Sequence, residues 1–262
     1  MNKTTFEVKN GVAIILLNDS EHLNPLDKAM DIELLNHFTY CEQSPEVKVV
    51  VLGGKGSSFS AGGDMRFFKK QLDAKNYTGL DELATHVNRV ILKIRTMKKL
   101  VVAAVQGYAV GGGANLALAS DFIIADRSCK FSEPFTKIGL APDAGAMYLL
   151  TRTVGARKAL QICVECPVIK AEEADRLGML TQLVPEGKAL ASAVAFAEKL
   201  ANGPLLAYEM AKEQTNRISY ADFEDYLFST ETGTVGRTFR SADYREAVTA
   251  FLEKRKVRYS GR

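Results

Sequence analysis

Three stretches of this 262-residue sequence place small or acidic residues where a backbone can handle charge. Ser60-Ala61-Gly62-Gly63 and Gly111-Gly112-Gly113-Ala114 each follow an apolar, strand-like run and lead into a helical segment. Residues without side chains let a ligand approach the main chain closely. N–H groups at a helix start lack an intrahelical acceptor, point outward and favour negative charge. Two such groups aimed at one oxygen would make an oxyanion hole. The third stretch, Lys137-Ile138-Gly139-Leu140-Ala141-Pro142-Asp143-Ala144-Gly145, sets Asp143 just before an apolar helical run. Taken singly, each has a plainer reading: glycines that serve turns and tight helix packing, and an aspartate that caps a helix.

Other chemistries find no motif. Gly53-Gly54-Lys55-Gly56-Ser57 lacks the P-loop spacing, and Gly107 to Gly113 does not fit GxGxxG. There is no GxSxG nucleophile elbow and no carboxylate pair at a strand end. The three histidines, His22, His37 and His86, show no ligand spacing, and Cys163-x-x-Cys166 has no second pair. No metal site is expected, and the four cysteines read as buried helix residues. Composition and spacing alone therefore stop at a possible oxyanion site with one candidate acid.

The elements that must position these residues follow from periodicity. Thr5–Lys9 and Val12–Leu17 flank Asn10-Gly11, the preferred hairpin turn. Asp27–Glu42 is expected to be helical, with apolar Met30, Leu34, Leu35 and Phe38 on one face. Val47–Leu52, Leu100–Val105, Phe122–Ala125 and Lys130–Ser132 read as strands, the first two buried. The polar stretch Lys69–Gly79 reads as a connection or frayed helix, and Glu82–Met97 as a helix. A small-residue helix over Ala114–Ala119 follows the second glycine loop. Beyond Asp143, helices are expected at Ala146–Thr151, Ala156–Val164, Ala171–Leu177 and Leu190–Ala201, with one short strand near Gln182–Val184. Asn202-Gly203-Pro204 breaks the chain, and Leu205–Lys256 reads as wholly helical, its last helix capped by Ser241. The layout is an α/β body over residues 1–200 and a helical C-terminal region over 201–262.

The bulk numbers bound the partners. A formal net charge of +3 is too small to argue for nucleic acid, and Lys254–Arg258 and Lys98-Lys99 read as solvated surface. Hydrophobic residues make up 47% and charged residues 25%, ordinary for a globular protein. No apolar run approaches a membrane span, and Met1–Glu7 lacks a signal pattern, so a cytoplasmic protein is expected.

Together and in order, these segments resemble the crotonase (enoyl-CoA hydratase/isomerase) superfamily. Phe59-Ser60-Ala61-Gly62-Gly63-Asp64 is similar to its first oxyanion loop, Val105–Gly113 to its second, and Ser120–Ala125 to the strand that follows. The resemblance runs from about Val8 to the C-terminus. It implies a spiral of ββα units with a helical trimerisation region, and a homo-oligomer that is a trimer or a dimer of trimers. It implies that the N–H groups of Ala61 and Gly112 bind a thioester oxygen. Coenzyme A, as part of the substrate and not as a separate cofactor, would lie along Leu26 and the loop from Ser60 through Gly63 and Asp64 to Met65. Gly111, Asn115 and Phe135 complete the expected substrate-binding set.

The departures bear on the reaction. Hydratases of this family carry two glutamates; at the matching positions this chain has Asn115 and Phe135. Adding water needs groups that position it and deliver a proton, which an amide and a phenyl ring do not supply. Glu133 is near but off that position. Isomerases of the family carry an aspartate in a Pro-Asp-x-Gly turn, as at Pro142-Asp143. The chain further resembles the bacterial 1,2-epoxyphenylacetyl-CoA isomerase subgroup, through Ala114-Asn115, Lys137–Leu140, Pro142-Asp143 and Arg240–Glu246. The expectation is an acyl-CoA isomerase with Asp143 as acid/base. Asn115 either orients a substrate or water or helps cap its helix. A hydratase using Glu133 or another acid, a non-catalytic acyl-CoA binder and an RNA-binding relative are the competing classes.

Overall fold

The computed structural model describes residues 2–262. Its first half runs β1 (Thr4–Lys9), β2 (Val12–Leu17), α1 (Lys28–Gln43), β3 (Val49–Gly54), α2 (Met65–Asp73), α3 (Tyr77–Thr96), β4 (Leu100–Val105), β5 (Tyr108–Val110), α4 (Gly112–Ala119), β6 (Phe122–Asp126) and β7 (Lys130–Ser132). Then come α5 (Ala146–Val154), α6 (Ala156–Glu165), β8 (Ile169–Lys170), α7 (Ala171–Arg176), β9 (Gln182–Val184) and α8 (Ala189–Ala201). The C-terminal part holds α9 (Leu205–Ser219), a short α10 (Phe223–Asp225), a π-helical stretch (Tyr226–Glu231), α11 (Thr232–Phe239) and α12 (Ala242–Leu252).

The hairpin forms as its sequence requires. Asn10 and Gly11 take φ of 53° and 80°, the left-handed pair that matches strand twist in a two-residue turn. From β2 the sheet grows by parallel pairing, in the order β1-β2-β3-β4-β6-β9, with only β1–β2 antiparallel. Parallel strands are covered on both faces, so their sequences are apolar without alternation. Val50 and Leu52 join the core that includes Leu34 and Phe38 of α1 and Val90 and Ile94 of α3. Val49 and Val51 turn to the opposite face, where Ala193, Ala197 and Ala201 of α8 let helix and sheet approach closely. A second, three-stranded sheet, β5-β7-β8, stands beside the first.

Three expectations need correction. Lys69–Gly79 is a connection only at residues 74–76: α2 covers Met65–Asp73, and α3 begins at Tyr77. Asp64 caps α2 by accepting from the Arg66 N–H, and Leu72 is buried among α12 side chains, contacts that the polar run Lys69-Lys70-Gln71 hides. Tyr108–Val110, read as loop, is a strand held by β7. The C-terminal segment is helical as expected, but not wholly and not to Lys256. It breaks between Ser219 and Phe223, and helix ends at Leu252. Its last helices return to the body: α11 packs on α3 and α12 on α2, closing a third apolar cluster of Leu80, Phe135, Val235, Phe239, Tyr244 and Val248. Ser241 does cap α12, accepting from the Tyr244 N–H at 3.0 Å.

Candidate active site

The two small-residue loops are stitched side by side. Ser60 N–H donates to the Tyr108 carbonyl at 2.9 Å, and Val110 N–H to the Ser60 carbonyl at 3.0 Å. Gly62, at φ +80°, passes so near the second loop that a Cβ there would stand 2.5 Å from the Val110 oxygen, so no larger residue fits. Beside this junction opens a cavity of about 390 Å³. Its wall includes Leu26, Ala61, Gly62, Gly63, Met65, Gly111, Gly112, Phe135 and Asp143, with Leu83 and Val87 from α3.

The donors differ from expectation at one position. Ala61 N–H is already committed to the Leu23 carbonyl at 2.8 Å, so it is not free to hold a ligand oxygen. The reason is tertiary: the loop lies along the segment before α1, where Leu26 N–H also donates to the Gly62 carbonyl at 2.8 Å. Two residues on, Gly63 N–H makes no hydrogen bond among the described residues, and Gly63 lines the cavity. Gly112 is the first residue of α4, and its N–H likewise has no acceptor among the described residues. The open pair on the wall is thus Gly63 and Gly112.

Asp143 shares the cavity wall with this pair, and its neighbour Ala144 brings it near Gly112: Ala144 Cβ is 3.9 Å from the place a Gly112 Cβ would take. Asp143 does not cap α5. That helix starts at Ala146 with Gly145 in the cap position, and no side chain caps it. Instead Ala144, held at φ 57°, turns its N–H back onto Asp143 Oδ1 at 2.7 Å. Asn115, fully buried on α4, donates from Nδ2 to the Asp143 carbonyl at 3.2 Å and fixes the turn from behind. Burial pushes the Asp143 carboxyl up to about 6, and the Ala144 N–H only partly offsets this. An acid with that value is ionised at neutral pH yet remains a usable proton donor.

A second carboxyl stands behind the turn. Glu231, 1% exposed, closes the π-helical stretch and accepts from Gly145 N–H at 2.9 and 3.1 Å and from Asn88 Nδ2 at 3.1 Å. Burial, and then the negative charge of Asp143, hold it well above the usual carboxylate range, so it is the neutral partner of the two. No local pattern in the sequence marks it. Asp31 of α1, also missed, lines the cavity with neither oxygen hydrogen-bonded. Its position beside Met30 and three before Leu34, on the edge of an apolar stripe, was a usable signal.

The other expected residues divide. Leu26, Gly63, Met65, Gly111 and Phe135 are on the wall. Ser60, Asp64 and Asn115 are not. Ser60 is fully buried, its hydroxyl donating to the Asn24 carbonyl at 2.7 Å, and Asp64 spends its carboxylate capping α2. Glu133 is also off the wall: its backbone neighbours Pro134 and Phe135 face the cavity, while its own oxygens are buried without a partner. Among the described residues no group of three or more His, Cys, Asp or Glu is arranged to hold a metal ion, and no helix is long and apolar enough to cross a membrane.

Comparison with known proteins bears directly on this arrangement. The family model for enoyl-CoA hydratase/isomerase matches residues 7–262. The chain is 33% identical to the 1,2-epoxyphenylacetyl-CoA isomerase of Escherichia coli, over 97% of each chain. It is 32% identical to the crotonyl-CoA hydratase of Syntrophomonas wolfei, over 97% of this chain and 96% of that one. The crystal structure of an enoyl-CoA hydratase from Mycobacterium avium subsp. paratuberculosis superposes with a TM-score of 0.89 at 29% identity, covering 98% of both chains.

Proposed function

The chain belongs to the enoyl-CoA hydratase/isomerase family, and within it we propose that it shifts the double bond of an enoyl-CoA between the 3,4 and 2,3 positions, with Asp143 as the single acid/base. One observation carries this reading: Asp143 shares the cavity wall with the open Gly63 and Gly112 N–H groups, close to Gly112, and its value of about 6 suits proton transfer in both directions.

The thioester oxygen accepts hydrogen bonds from Gly63 and Gly112. Asp143, as carboxylate, removes a proton from C2 of the 3-enoyl ester. The C–H electron pair moves into a dienolate, and the negative charge on the oxygen grows where the two donors already point. The carboxylic acid then returns its proton to C4, leaving the double bond at C2–C3 and Asp143 ionised again. Phe135 and Leu83 keep the site dry, which strengthens both hydrogen bonds. Asn115 holds the main chain of the base and takes no part in the proton transfer.

Coenzyme A, the only carrier the reaction takes, lies along Leu26, Gly63 and Met65. No further cofactor enters. The same oxyanion pair and acid would serve ring expansion of an aromatic epoxide thioester, the reaction class of the Escherichia coli relative's name. The exposed apolar side chains Leu160, Val164 and Val168, and Leu206, Met210 and Ile218, are suited to burial between copies in a trimer or dimer of trimers. Light scattering on the eluted protein tests that assembly.

The reaction is tested by turnover of 3-hexenoyl-CoA and of crotonyl-CoA side by side. Isomerisation of the first, with hydration of the second slower by at least about a hundredfold, is the expected result. Rapid hydration of crotonyl-CoA would put a second acid in the site and replace this reading with a hydratase.

A further inference from the structure

Asp31 is an anomaly in an apolar wall. It is 1% exposed, lines the same cavity as Asp143, and offers both carboxyl oxygens with no hydrogen bond from any described residue. A buried polar group without a partner costs stability, and chains retain one only where something else uses it. Its place in the first turn of α1 gives a carboxylate some help from the helix dipole. That role is served equally by an exposed position, and Asp27 already caps the helix, accepting from Met30 N–H at 2.8 Å. Burial, reinforced by the charge of Asp27, holds the Asp31 carboxyl well above the usual range, so it is poised as a neutral acid that both donates and accepts.

The cavity has an outer and an inner end. Phe251 and Arg255 lie on its wall and are exposed, which marks the mouth. Asp31 is among its most buried wall residues, and α3 adds Leu80 and Ala84 as buried hydrocarbon on the same wall. A plain alkyl chain reaching this end would meet an unsatisfied carboxyl. A chain carrying a hydroxyl there would satisfy it.

We propose that Asp31 is a specificity-determining residue that hydrogen-bonds a hydroxyl on the acyl group, so that the preferred substrates are hydroxylated acyl-CoA esters. This rests on the reading of the cavity as an acyl-CoA site.

The test is binding, and so does not depend on which reaction the enzyme performs. Saturated acyl-CoA esters of six to ten carbons and their ω-hydroxy counterparts are titrated calorimetrically into the wild type, Asp31→Leu and Asp31→Asn. The wild type should bind one ω-hydroxy ester about threefold to tenfold more tightly than the alkyl ester of equal length, the usual worth of one net hydrogen bond. Asp31→Leu should invert that preference and unfold at a higher temperature than the wild type, because an orphaned acid has been removed. Asp31→Asn keeps the volume and should retain part of the preference; it decides the matter if the Leu variant fails to fold. Equal or better binding of every alkyl ester by the wild type, or a preference unchanged in Asp31→Leu, overturns the inference while leaving the acyl-CoA site intact. Failure of every ester, alkyl or hydroxylated, to bind would overturn the site reading and this inference with it.

Discussion

Two of the regions that bury carboxyl side chains treat them in opposite ways. At the base of the sheet, Asp121 is surrounded by partners. Arg95 Nη2 lies 2.5 Å from one oxygen and Lys212 Nζ 2.8 Å from the other, and Val101 N–H donates to it at 2.8 Å. The cations are satisfied in turn: Lys212 donates to the carbonyls of Ile94 and Lys99, and Arg95 to that of Ala119. The cluster ties α9 to the start of β4 and the end of α3. Around the cavity, Asp31, Glu133, Asp143 and Glu231 are as deeply buried, yet among the described residues no cation is paired with any of them. The Asp121 charge, which holds the fold together, is neutralised on the spot. Charge left unpaired is pushed toward protonation, and it gathers where a proton can be moved.

The sharpest way to break this contrast is to unpair the structural cluster. Asp121→Asn leaves Arg95 and Lys212 facing each other in the interior and should lower the unfolding free energy by about 3–5 kcal/mol, read from urea denaturation. A loss below about 1 kcal/mol would mean that the cluster is solvated and the contrast is false.

The cavity side should respond with the opposite sign. The Asp143 carboxyl is raised from 3.8 to about 6 on folding. A group raised in this way favours the fold below its unfolded value and loses that advantage as pH rises through its folded value. Between about pH 4 and pH 6 the wild type should therefore lose about 3 kcal/mol relative to Asp143→Asn, which cannot ionise. Chemical denaturation of both proteins across that window checks it. Parallel curves would show that Asp143 is not desolvated.

Smaller effects are expected at Glu231. Glu231→Ala strips the acceptor from Gly145 N–H and from Asn88 and should cost about 1–3 kcal/mol. Glu231→Gln mimics the neutral acid, so the pH at which kcat/KM is half-maximal should stay near the wild-type value. A clear downward move of that limb would mean that Glu231 carries a charge when Asp143 titrates.

Much of this was legible beforehand, because the signals were local. The Asn10-Gly11 turn, the apolar strands and the Ser241 cap each declare themselves within a few residues. The two glycine loops and Asp143 were legible as candidates. What escaped depends on tertiary register. Which N–H of the first loop stays open is decided by its alignment along Leu23–Leu26, and that alignment consumes Ala61 and frees Gly63. Helix α2 is masked by its polar run and secured by Leu72 packing under α12. Glu231 reaches the Asp143 turn from a π-helical stretch, where helical periodicity gives no warning.

The most direct test of the central claim is the rate of 3-hexenoyl-CoA isomerisation by wild type and Asp143→Asn, measured as kcat/KM from pH 5 to pH 8. Wild-type activity should rise through about pH 6 as the base ionises. The Asn variant should remain folded, bind the ester, and turn over about a hundredfold to ten-thousandfold more slowly at every pH. A folded Asn variant with near-wild-type rates, or a wild-type rate flat across pH 6, would contradict the assignment of Asp143 as the acid/base.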